Sequence, residues 1–189
     1  TFLCSKKEIG DFELSFQVRL KGGNGNSGVQ IRSRIHDQKK FAVTGPQCDI
    51  GGGFWGSLYG ENFGGMMKAA PKEAVEKVKK DDFNDYYIKC VGKHVTIKLN
   101  GVATVDDDFA NLPAEGIIAL QLHAGEPMEV TFREIQFVDL WPAEAEVLAD
   151  PQQHLFVFFE WVRQSPVLDC QQVRGKKLFG KTIVRARIA

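Results

Sequence analysis

Glu13, Gln30, Arg32, Gln47, Asp49, Gln121 and His123 sit in segments where polar and apolar residues alternate. Side chains two apart on an extended strand share a face, so these groups are expected on the polar side of their strands. Outward groups of neighbouring strands together line one surface. Two chemistries fit the set. Glu13 and Asp49 are paired carboxylates able to act as acid and base in direct glycoside hydrolysis, with their separation setting the stereochemistry. Alternatively, Asp49 or His123 removes a carbon-bound proton while Arg32 holds the oxygen that becomes negative. A serine or cysteine triad is not supported, because Ser27 lies in a turn without an elbow motif. His123 and Asp49 are conceivable metal ligands, but no HxH or HExxH spacing accompanies them. No metal and no cofactor is therefore expected.

The stretch Gly45 to Gly60, GPQCDIGGGFWGSLYG, carries Gln47 and Asp49 into three glycines followed by Phe54, Trp55 and Tyr59. Glycines let a backbone approach a ligand closely, and aromatic rings offer flat apolar faces to a sugar. The competing reading is a tight turn whose aromatics cap a core. With Glu13, Gln47 and Gln121 supplying hydrogen bonds, Trp55 and Tyr59 are the expected ring-binding residues.

The segments that must hold these groups read as strands. Asp11 to Leu20 alternates throughout, with Phe12, Leu14, Phe16, Val18 and Leu20 on one face. Val29 to Arg34 alternates again, with Val29, Ile31 and Ser33 inward and Gln30, Arg32 and Arg34 outward. A hairpin through the turn at 21–28 would join the two. Pro71 followed by KEAVEKVKK reads as a short inserted helix with a solvated charged face. Tyr86 to Val91 and His94 to Leu99 flank Gly92-Lys93, and Asn100-Gly101 leads into Val102 to Val105; both dipeptides are hairpin turns. Ile117 to His123 and Val130 to Leu140 complete the pattern. Eight or more short strands with almost no helix imply an all-β fold, a two-sheet antiparallel β-sandwich or jelly roll.

The chain has 189 residues, 43% hydrophobic and 25% charged, with zero formal net charge. One domain with a sizeable core plus an appendage fits that length. The balance points to no nucleic acid, and no apolar run suits membrane insertion. The four cysteines, Cys4, Cys48, Cys90 and Cys170, lack CxxC spacing, and Cys48 and Cys90 fall in strand segments where a buried free thiol is common. Residues 141–189 behave differently: prolines interrupt them, AEAEVLAD reads as a helical turn, and residues 150–189 carry a charge of +4. They are expected to form an extension that holds no site.

The ordered set FELSFQVRL, GNSGVQIRS, GPQCDIGGGFWGSLYG, FNDYYIKCVGKHVTIKLNG, EGIIALQLHAG and VTFREIQFVDL resembles the 3-keto-disaccharide hydrolase domain family. The resemblance runs from about Thr1 to Leu140. It implies a concanavalin-like sandwich in a bacterial protein acting on glycosides whose glucose ring carries a ketone at carbon 3. That ketone acidifies the hydrogen on carbon 2, so one base and one oxyanion donor suffice for elimination, with water adding afterwards. By the same resemblance, the family's glycine loop is Gly25 to Gly28, its arginine is Arg32, its Gln-x-Asp is Gln47 and Asp49, and its Leu-Gln-x-His ends at His123. The family start lies upstream of Thr1, so a first strand is expected to be missing. A periplasmic or secreted location also follows from the resemblance.

These readings make Asp49, His123 and Arg32 the expected catalytic residues of a 3-keto-glycoside-cleaving enzyme whose partner is a carbohydrate. The alternative is a non-catalytic carbohydrate-binding module of a larger envelope or secreted protein. A structural or adhesion domain is a third option. Convergence of Asp49, His123 and Arg32 on one face is what separates the first two.

Overall fold

The computed structural model describes residues 1–140 together with residues 159–160 and 183–187. In chain order its strands are β1 (Phe2–Ser5), β2 (Phe12–Leu20), β3 (Asn26–Asp37), β4 (Ala42–Gly51), β5 (Leu58–Glu61), β6 (Gly65–Lys68), β7 (Asn84–Val91), β8 (His94–Leu99), β9 (Val102–Asp108), β10 (Ile117–Leu122), β11 (Glu129–Asp139), β12 (Phe159–Glu160) and β13 (Ile183–Arg187). They form a seven-stranded sheet in the order β12-β1-β10-β3-β4-β5-β6 and a six-stranded sheet in the order β13-β11-β2-β7-β8-β9. Every pairing is antiparallel.

The alternation in β2 buries Phe12, Leu14, Phe16, Val18 and Leu20 against the other sheet. Opposite them lie Val29 and Ile31 of β3, Cys48 and Ile50 of β4, and Leu120 and Leu122 of β10. Phe16 stacks on Tyr86 at 5.1 Å between centroids and meets Phe132 at 5.5 Å. Each fully buried apolar side chain of this size contributes roughly 1.5–3 kcal/mol. Cys48 and Cys90 are buried free thiols within this core.

Both predicted turns form. Gly92 takes φ 56° between β7 and β8, and Asn100 and Gly101 take φ 50° and 82° between β8 and β9. The inserted helix shrinks to one turn, α1 (Lys72–Val75), seated through the buried Ala74. The expected β2–β3 hairpin does not form. β2 belongs to the six-stranded sheet and β3 to the seven-stranded one, so the glycine-rich segment between them crosses from sheet to sheet. Alternation alone cannot tell two strands paired side by side from two strands packed face to face. Strands β12 and β13 extend the two sheets, while the expected helical turn at AEAEVLAD lies outside the described residues.

Candidate functional site

The outer face of the seven-stranded sheet is unusually polar. Gln30 of β3 is the cross-strand partner of Gln47 of β4, which in turn faces Tyr59 of β5. One row along, Gln121 of β10 pairs with Gly28, and Gly28 pairs with Asp49. Gln30, Gln47, Asp49 and Gln121 are all buried, Asp49 at 9% exposure. Buried polar groups must find partners, and these find one another.

Ser33 Oγ donates to Gln30 Oε1 at 2.6 Å, Gln30 Nε2 to Gln47 Oε1 at 2.9 Å, and Gln47 Nε2 to Asp49 Oδ1 at 2.8 Å. Gln47 Nε2 also reaches Gln121 Oε1 at 3.4 Å. The direction of this chain follows from its end. An ionised carboxylate only accepts, so Gln47 must present its amide nitrogen, which turns its oxygen to Gln30 and the Gln30 oxygen to the hydroxyl. Aligned donors of this kind polarise one another and stiffen the group they end on. Asp49 Oδ2 accepts no hydrogen bond from the described residues.

The backbone beneath Asp49 is equally fixed. Its N–H donates to Ser57 O at 2.9 Å, and its carbonyl accepts from Gly56 N at 3.0 Å and from the Tyr86 hydroxyl at 3.1 Å. Tyr86 belongs to β7, so the carboxylate-bearing residue is tied to the opposite sheet. Burial pushes the Asp49 carboxyl up to about 6; the Gln47 bond pulls it back, and the charge of Glu61 adds to the rise. Glu61 stands on β5 across from Gly45. The result is a carboxylate that titrates near neutrality with one oxygen unengaged, as proton transfer requires.

Two glycines make the arrangement possible. A Cβ at Gly28 would lie 2.6 Å from Gln47 Cδ, so the Gln47 side chain occupies the space a residue 28 side chain would take. A Cβ at Gly45 would lie 2.3 Å from Ser33 Oγ. Sequence inspection marks Gly28 as part of a turn loop and does not anticipate its function as floor for Gln47. Ser33 and Glu61 are likewise missed, because strict alternation turns Ser33 inward.

The structure brings Gln47, Asp49, Gln121 and Tyr59 together, with Tyr59 half-buried on the adjacent strand. It does not bring Arg32 to them. β3 holds one extra residue relative to β10 between Gln30 and Ser33 and relative to β4 between Gln30 and Arg34, a β-bulge at which Arg32 adopts φ 44°. The bulge flips the alternation: Arg32 goes into the interior at 0% exposure and Ser33 comes out beside Gln30. Arg32 is consumed there, donating from Nε to Gly10 O at 2.7 Å, from Nη1 to Gly92 O at 2.6 Å and Pro113 O at 3.0 Å, and from Nη2 to Asp11 Oδ1 at 2.6 Å. An outward oxyanion-binding position for Arg32 is thus corrected to an interior one.

Three further expectations change. Glu13 lies on β2 of the other sheet and pairs with Lys89 at 2.9 Å, so it does not face Asp49 and the paired-carboxylate arrangement is absent. Trp55 is buried at 5% within the core, while Phe54, at 57% exposure, is the aromatic that the glycine loop presents to solvent. His123 is exposed one residue beyond β10, with its Nδ1 2.5 Å from the carbonyl of Ala124, and it makes no hydrogen bond to Asp49. No group of three or more histidine, cysteine or acidic residues among the described residues is placed to hold a metal ion.

Residues 1–138 match the family described as 3-keto-alpha-glucoside-1,2-lyase-like domain. No curated protein matches the chain. Among solved structures, a candidate glycosyl hydrolase from Parabacteroides distasonis is similar at 23% identity and TM-score 0.54, over 74% of this chain and 83% of that one. A second candidate glycosyl hydrolase from the same organism is similar at 15% identity and TM-score 0.51, over 72% and 73%. Carbohydrate-binding module CBM66 from Bacillus subtilis is similar at 15% identity and TM-score 0.52, over 72% and 80%. At these identities the structural likenesses establish the β-sandwich fold alone.

Proposed function

Because the chain belongs to the family of 3-keto-α-glucoside-1,2-lyase-like domains, we propose that it cleaves 3-keto-glucosides with Asp49 as the base. The observation that carries this reading is the Asp49 carboxylate itself: buried, titrating near 6, held by Gln47 through one oxygen and unengaged at the other.

The ketone at carbon 3 makes the carbon 2 hydrogen acidic. Asp49 takes that proton, and the electron pair of the C2–H bond forms the enolate. As the carbonyl re-forms, the pair moves to C1=C2 and the C1–O bond breaks, leaving the departing oxygen to take a proton from solvent. Water then adds across C1=C2, its oxygen to carbon 1 and a proton to carbon 2, and protonated Asp49 is placed to return the one it removed. The net change is hydrolysis. With Arg32 sealed in the interior, neutral donors on the same face take the enolate oxygen: the Gln121 amide and the Tyr59 hydroxyl. Neutral donors suit an enolate formed beside a carboxylic acid, since the proton and the charge move together. Phe54 offers the glycine loop's exposed ring to the departing group.

The test is to incubate the full chain with a 3-keto-disaccharide and, separately, with its unoxidised parent. Glucose release from the keto sugar alone, with exchange of the carbon 2 hydrogen in heavy water, is expected. Cleavage of the parent would overturn elimination. Binding of either sugar without cleavage would identify a carbohydrate-binding module instead.

A further inference from the structure

The geometry points to a second carbohydrate-binding surface, for neutral glycan chains, on the outer face of the six-stranded sheet, across the sandwich from Asp49. A shallow groove open to solvent, with about 320 Å³ of space, lies there, floored by β2, β7, β8 and β11.

Its walls separate into groups that are spent and groups that are free. Gln17 is locked in place: its Nε2 donates to Asp85 Oδ1 at 2.8 Å, and its Oε1 accepts from Arg133 Nε at 2.8 Å. Arg133 is held in turn by Phe83, with its guanidinium 3.4 Å from the ring centroid. Beside this fixed frame, Ser15, Glu134 and Gln136 line the groove and make no side-chain hydrogen bond to any described residue. A hydroxyl, a carboxylate and an amide, unengaged and facing one space, form a mixed donor and acceptor set that suits sugar hydroxyls. Tyr87 adds an aromatic wall, with the Lys98 ammonium 5.6 Å from its ring centroid.

The backbone carries an independent mark at the same place. β11 has one residue more than β2 between the pairs Arg133–Gln17 and Gln136–Ser15, and Glu134 adopts φ 53° in this bulge. A non-glycine residue in that conformation is strained, and a bulge re-aims side chains. Here it adds a carboxylate to the lining without disturbing the buried Phe132 or the Phe137 ring that stacks on Phe12. Such outliers gather where a ligand is held.

The charge of the lining selects the ligand. Asp85 and Glu134 are offset by Lys98 and by Arg133 beside Gln17, so the lining has no net positive charge to hold phosphate or uronate, and the polar walls disfavour an apolar partner. A neutral oligosaccharide remains. The site does not depend on Asp49 and would serve equally to hold an enzyme on a polymer or to anchor a binding module.

The test is a titration of the ¹⁵N-labelled full chain with maltotriose and with cellotriose, followed by amide shifts. Saturable millimolar shifts clustered at Ser15, Tyr87, Glu134 and Gln136 are expected with at least one of them. Glu134→Gly suits the left-handed backbone and keeps the fold; it and Gln136→Ala should each weaken binding about fivefold, the worth of one hydrogen bond. Neither change should alter turnover of a 3-keto-disaccharide. Absence of shifts on this face with both sugars, or wild-type affinity in both variants, overturns the proposal. So does movement of these amides with protein concentration alone, which would mark a contact between copies of the chain.

Discussion

Gln47 donates to Asp49 at 2.8 Å, and it reaches that carboxylate by lying over Gly28 on the strand between Asp49 and Gln121. The bond opposes the desolvation that drives the Asp49 carboxyl up to about 6. The two effects together leave a carboxylate that is charged at neutral pH yet basic enough to take a proton. Neither an exposed aspartate nor a buried one without Gln47 would have both properties.

If Asp49 is the base, activity follows its ionisation. The rate on a 3-keto-disaccharide at low substrate should rise with pH through a limb near 6 and level off above it. Asp49→Asn should lower the rate by roughly 100- to 10,000-fold and abolish the limb. A pH–rate series on both proteins decides it. A loss of tenfold or less, or an intact limb in the variant, removes Asp49 from the chemistry.

The same carboxyl destabilises the fold at neutral pH. Its folded-state value lies above its ordinary value of 3.8, so the native state binds the proton more tightly than the unfolded chain does. Stability is therefore lost as pH rises from about 4 through about 6, and the cost is constant above that. At roughly 1.4 kcal/mol per pH unit, the cost at pH 7.5 is on the order of 2–3 kcal/mol. Asp49→Asn keeps an acceptor for Gln47 and removes the charge. It should be more stable than the wild type at pH 7.5, with the difference shrinking toward zero near pH 4. Denaturant unfolding across that range measures the gap; a gap that does not change with pH contradicts the assignment.

Gly28→Ala isolates the contribution of Gln47. The new methyl would press on Cγ, Cδ and Nε2 of Gln47 at 2.6–2.8 Å, so that side chain must move and give up its bonds to Gln30 and Asp49, while Gly28 itself is not in the left-handed region. Folding stability should fall by about 1–3 kcal/mol, the cost of leaving buried polar groups unpaired. Asp49 would lose the bond that holds its pKa down, so the activity limb should move to higher pH and the rate at pH 6 should fall. A limb that stays in place would show that Gln47 does not tune Asp49.

The sandwich was legible because apolar residues at every second position in β2, β3, β4 and β10 leave little choice of buried face. Asp49, Gln47 and Gln121 were legible for the same reason, being the polar complement of those faces. What alternation could not show is where it breaks. One extra residue at Arg32 exchanges the fates of Arg32 and Ser33, and no local signal marks a bulge whose cause is distant: the carbonyls of Gly10, Gly92 and Pro113 waiting to be satisfied. Trp55 and Phe54 are neighbours of equal aromatic character, and only the hairpin geometry that ties Gly56 to Asp49 decides which one turns into the core. Glu13 shows the third limit, since outward on a strand does not say outward from which sheet.

Arg32 provides the sharpest separation of structure from chemistry. Its guanidinium joins three backbone carbonyls to the Asp11 carboxylate, which also accepts from Gly92 N at 2.9 Å. Removing it orphans those carbonyls and leaves Asp11 without its cation. Arg32→Met should therefore cost about 3–5 kcal/mol of stability, the range for breaking a buried ion pair. Arg32→Lys should also destabilise, because a single ammonium cannot span three carbonyls and a carboxylate in the plane a guanidinium fills. The folded fraction of Arg32→Lys should nonetheless keep the wild-type pH limb and a rate within a few fold, because the side chain is fully buried and bonds none of the Asp49 group. Thermal unfolding together with a pH–rate series at low temperature separates the two effects. An Arg32→Lys protein as stable as the wild type but without activity would return Arg32 to the catalytic machinery and displace the neutral-donor account of the enolate.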